Sequence, residues 1–70
     1  MPTPNSEAIR SRRREAGWKL RELSERARVK YQHLANIESG HAVASIEVLH
    51  RIAKALDVDV SELVRQREMS

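Results

Sequence analysis

Seventy residues, a formal net charge of +3 and no cysteine leave room for one small domain and exclude a disulfide framework or a thiolate metal site. One Trp, one Tyr and no Phe require an aliphatic core of Leu, Ile, Val and Ala. No apolar run approaches the ~20 residues of a membrane helix, and the polar start MPTPNSE lacks the apolar segment of a signal peptide, which points to a soluble cytoplasmic protein. Stability is then expected from helix packing, helped by dimerisation.

The prolines at 2 and 4 forbid a helix, so residues 1–5 read as a flexible leader, followed by a domain over residues 6–66 and a tail over 67–70. Asn5 or Ser6 can cap a first helix that runs to about Ala16, where Gly17 offers a stop. Its inward side is expected to carry Ala8, Ile9 and Ala16, with Arg12 and Arg13 between them burying aliphatic stems. Trp18 follows in the connection, where an apolar residue should be buried.

Leu20, Leu23 and Ala27 share one face of a second helix that ends near Arg26. A tight turn covers Ala27 to Val29, and a third helix runs from about Lys30 to Ser39, stopped by Gly40. After the loop HAVA, Ser45 caps a fourth helix to about Leu56, with Ile46, Leu49, Ile52, Ala53 and Leu56 on one stripe. Asp59 opens a fifth helix, with Glu62 completing a capping box and Leu63 as its buried anchor. Only VDV alternates in the β manner, so the chain reads as all-α, a five-helix bundle. Leu23, Val29, Leu34, Ile37, Leu49, Ile52 and Leu56 form the expected core.

The outward positions of the third helix hold Lys30, Tyr31, Gln32, His33 and Asn36. Amides, a cation and rings on one exposed helix face suit the reading of base edges in a DNA major groove. Charge is placed accordingly. Residues 1–40 hold nine Lys/Arg against five Glu, while residues 41–70 hold four against five acids. The basic half therefore contains the candidate reading helix. Catalysis finds no support: there is no Gly-rich phosphate loop, no nucleophile with a paired base and no carboxylate pair in a pocket. Histidines 33, 41 and 50 match no compact ligand spacing, so no metal or cofactor is expected.

The segments IRSRRREAGW, LRELSERARV, YQHLANIESG and SIEVLHRIAKALDVDVSEL together resemble the phage-repressor and Cro type of helix-turn-helix domain, the XRE family. The resemblance covers about Ser6 to Val64 and implies a lambda-repressor-like bundle that binds B-DNA, usually as a two-fold dimer on a palindrome. It implies a recognition helix over Lys30 to Asn36, phosphate contacts at residues 19–21, and a structural ion pair between Arg13 and Glu38. The chain departs from the family pattern in three places. Arg28 stands where the turn commonly carries glycine, Lys19 and Lys30 where Ser or Thr caps, and Leu20 where Gln is frequent.

These readings give a sequence-specific regulator of transcription with double-stranded DNA and a homodimer mate as partners. Gln32, Asn36, Tyr31 and His33 are expected to meet bases, and Lys19, Arg21, Lys30 and His41 to meet phosphates. Arg10 or Arg14 is a further candidate for the DNA backbone. Two rivals differ in partner. An antitoxin would bind a toxin through apolar residues near Val60 and Val64, and a protein–protein adaptor would use the same fold without DNA.

Overall fold

The computed structural model describes residues 4–64, and everything structural below concerns those residues. Four α-helices form in order: α1 (Ser6–Glu15), α2 (Leu20–Ala27), α3 (Tyr31–Glu38) and α4 (Ile46–Leu56). The expected fifth helix is a single 3₁₀ turn, Val60–Leu63. Asp59 caps it by accepting the Ser61 N–H at 3.0 Å. The expected capping box does not close, because the Glu62 carboxylate is drawn to Arg12 on α1. With Val64 extended and bridged to Pro4, the turn has no room to become a longer helix before that point. The rest of the expected domain to residue 66, and the tail 67–70, lie outside the described residues.

The two ends of the packed unit meet. Asn5 donates its N–H to the Leu63 carbonyl at 2.8 Å, and Pro4 is buried against Val64. Pro4 and Asn5, which the prolines assign to the leader, thus belong to the fold, and Asn5 caps α1 by accepting from Ala8 N–H.

All four helices stop in the same way. One or two residues past each end, Gly17, Arg28, Gly40 and Asp57 have φ between 58 and 84. The next residue then donates back across the last turn: Trp18 to Arg13, Val29 to Ser24, His41 to Asn36 and Val58 to Ala53. This doubly bonded left-handed stop satisfies carbonyls that a helix end leaves open. Glycine enters that conformation freely, whereas a side chain there costs about 1–2 kcal/mol.

The core gathers Ile9, Leu23, Ala27, Val29, Leu34, Ile37, Ala44, Leu49, Ile52, Ala53 and Leu63, contributed by every element. Four sequence expectations need correction. Leu56 is half-buried, because α4 ends beside the left-handed Asp57 and turns away. Ile46 opens α4 at 49% exposure, and Ala16 lies outside the core. Trp18 is half-buried, its ring covered by the Arg26 guanidinium at 4.4 Å from the centroid, which suits an amphipathic ring at a core margin.

Candidate nucleic-acid interface

At one rotation of about 100° per residue, Gln32 and Asn36 stand opposite the buried Leu34, Ile37 and Glu38 of α3. Tyr31 and His33 lie about 100° to either side of Gln32, so the four expected base-facing residues form a centre and two flanks. Gln32 Nε2 donates to Asn36 Oδ1 over a long 3.4 Å, and each amide keeps its other polar atom for an outside partner. Tyr31 is 45% exposed, with the Arg21 guanidinium 5.2 Å from its ring centroid. That stack joins the start of α2 to the start of α3. His33 is half-buried on the opposite flank.

Lys19 and Lys30 occupy the N-cap positions of α2 and α3, both exposed and neither making a side-chain capping bond. An ammonium cannot accept a hydrogen bond, so only Glu22 helps here, accepting the Lys19 backbone N–H at 3.3 Å. Two lysines therefore stand at two helix N-termini whose open N–H groups favour an anion. His41 lies just past Gly40, its Nδ1 2.8 Å from Ser39 Oγ, which in turn donates to the Asn36 carbonyl at 3.1 Å. Its other ring nitrogen is free to face outward.

The far end of α3 is anchored to α1. Arg13 holds Glu38 with two bonds, Nε to Oε2 at 2.8 Å and Nη2 to Oε1 at 3.1 Å, and donates Nη1 to the Trp18 carbonyl at 2.9 Å. The two side chains are only 13% and 7% exposed. Arg10 donates to the Glu38 carbonyl at 2.7 Å, and Ser6 Oγ to the Ile37 carbonyl at 2.7 Å. Arg10, a candidate with Arg14 for the DNA backbone, thus places one guanidinium N–H on the C-terminus of α3, where a cation also suits the helix dipole. Sequence reasoning missed Ser6 and Arg10 in this role. The signal was present, since Ser6, Arg10 and Arg13 are spaced as one stripe of α1.

Other expectations are met differently. Val60 and Val64, proposed for a protein partner, are half-buried and pack against the core. Among the described residues no three His, Cys, Asp or Glu side chains cluster as a metal would require, and no helix is long and apolar enough to cross a membrane.

A bundle that carries a short helix, a left-handed turn and a polar exposed helix in this order invites comparison with known proteins. The helix-turn-helix family model matches residues 9–63. The chain belongs to the XRE-type helix-turn-helix family. That family consists of DNA-binding regulators of transcription rather than enzymes. A solved structure, the clp gene regulator ClgR from C. glutamicum, is similar at 37% identity and a TM-score of 0.74. The match covers 81% of this chain and 74% of that one. No match is found among curated proteins.

Proposed function

We propose that this chain regulates transcription by reading a specific double-stranded DNA sequence with α3 in the major groove, as a homodimer on a palindromic site. The observation that carries the reading is the Gln32–Asn36 pair on α3, with Gln32 exposed and Asn36 half-buried, flanked by uncapped lysines at two helix N-termini. Amides can bond adenine edges, while Lys19, Arg21, Lys30, His41 and the open N–H groups suit phosphates. Tyr31 and His33 flank the amides and complete the base-facing set. The Arg13–Glu38 pair, with Ser6 and Arg10, fixes the tilt of α3 against α1, so the reading face is preorganised. Similarity to a clp gene regulator supports the regulatory role, and the action is placed in the cytoplasm, where bacterial DNA lies.

The test is selection from a random duplex library by the full chain, with the retained fraction sequenced over a series of salt concentrations. Enrichment of a palindrome is expected, with affinity falling steeply as salt rises because phosphate contacts release counterions. A retained pool without any motif, or an affinity indifferent to salt, refutes the proposal and favours an adaptor.

A further inference from the structure

Arg26, Ala27 and Arg28 at the end of α2, with Arg51, Lys54 and Ala55 on α4, line an open groove of about 580 Å³. Small residues between the cations make the depression. Among the described residues, Glu47 is the one acid paired with any of the four, at 3.0 Å from Arg51. Arg51 also donates to the Arg28 carbonyl at 3.4 Å. Last-turn positions of Arg26 and Lys54 suit the negative ends of α2 and α4, but a helix end carries only about half a charge. Arg26 also covers the Trp18 ring, which leaves Arg28 and Lys54 as the groove cations without a side-chain partner among the described residues.

The groove does not share the reading face. Arg26 follows Arg21 by five residues and is rotated about 140° round α2 from it. Arg21 stacks on Tyr31 beside α3, whereas Arg26 lies over Trp18. Arg21 and Arg26 thus lie on different flanks of α2.

We propose that this groove docks an acidic polypeptide segment of a partner protein. Every polar side chain lining it is a donor, so the occupant must be an acceptor throughout. The lining side chains include no acceptor or aromatic group to recognise a base or sugar, and cations drawn from two elements fit spaced carboxylates better than a single compact anion. The proposal does not depend on the DNA reading.

The test is an amide-shift titration of the 70-residue chain by NMR, with a dodecapeptide of alternating Glu and Ser as probe. Saturable shifts are expected at residues 26–28 and 51–55. Lys54→Glu should weaken the peptide about fivefold or more. Lys54 is exposed and paired with no acid among the described residues, so the variant should fold, and Lys54→Gln gives the same test without charge reversal. Both variants should bind the duplex pool within about twofold of the parent, since the groove is not a phosphate contact. Shifts confined to residues 19–21 and 30–36 would overturn the proposal. So would equal loss of duplex binding, or tripolyphosphate displacing the peptide at matched charge. If no duplex binds at all, the regulator reading fails while the peptide result still decides this one.

Discussion

Replacing Arg13 by Met should leave the Glu38 carboxylate 7% exposed and without its two guanidinium bonds, at 2.8 and 3.1 Å. Breaking one side of a buried pair costs about 3–5 kcal/mol, chiefly because the orphaned charge stays desolvated. The slight solvent access of both side chains, and the apolar stem that Met retains, reduce this to about 2–4 kcal/mol. A domain of this length holds about 4–10 kcal/mol in all, so the variant should be marginal. Arg13→Lys keeps the charge but loses the fork and the Trp18 carbonyl, and should cost about 1–2 kcal/mol. The double variant Arg13→Met/Glu38→Leu should recover most of the loss, because no charge is then buried. Urea unfolding followed by circular dichroism measures all three. A loss below about 0.5 kcal/mol for Arg13→Met would show that the pair behaves as a solvated surface bridge, and would refute the reasoning.

Further outcomes follow from the same geometry. Leu49→Ala, at a fully buried position, should cost about 2–5 kcal/mol in denaturant unfolding. Arg28→Gly should raise stability by about 0.5–1 kcal/mol, since glycine relieves the left-handed backbone at φ 58 but adds freedom to the unfolded chain. The Ser61 backbone N–H, then its side chain, and His50 hold the Asp59 carboxyl below its ordinary 3.8. A depressed folded value means its contribution is full above about pH 4 and fades as pH falls through the lower value. Asp59→Ala should therefore lower Tm at neutral pH, with a gap to the parent that closes in strong acid. A gap constant with pH would assign the effect to something other than that charge. Lys19→Ala and Lys30→Ala should each weaken duplex binding for all sequences alike and reduce the slope of log affinity against log salt by about 0.9. A change in the preferred sequence would instead place the altered lysine among the base readers.

Much of the fold was legible because the signals were local. Gly17, Gly40 and Ser45 mark boundaries by backbone preference or capping, and the period of Leu23, Leu34, Ile37, Leu49 and Ile52 marks the core. Arg28 could be placed in the left-handed turn only through the family pattern, and Asp57, its twin in geometry, carried no comparable mark. Tertiary competition explains the rest. Glu62 could not be seen to prefer Arg12 over its own helix start, nor Arg10 to prefer the Glu38 carbonyl over an outside phosphate. Such choices are set by elements distant in sequence. Within the candidate site, the faces of Gln32 and Asn36 follow from helical period alone, whereas the Arg21–Tyr31 stack depends on how α2 and α3 cross.

Selection of duplexes by Gln32→Ala beside the parent tests the central claim most directly. If α3 reads bases through its amides, the parent enriches a palindrome and the variant loses preference at one base pair in each half-site, with a cost of about 1–3 kcal/mol for the favoured base and the remaining positions unchanged. An identical motif from both proteins, at equal affinity, would contradict the claim and remove Gln32 from the reading surface.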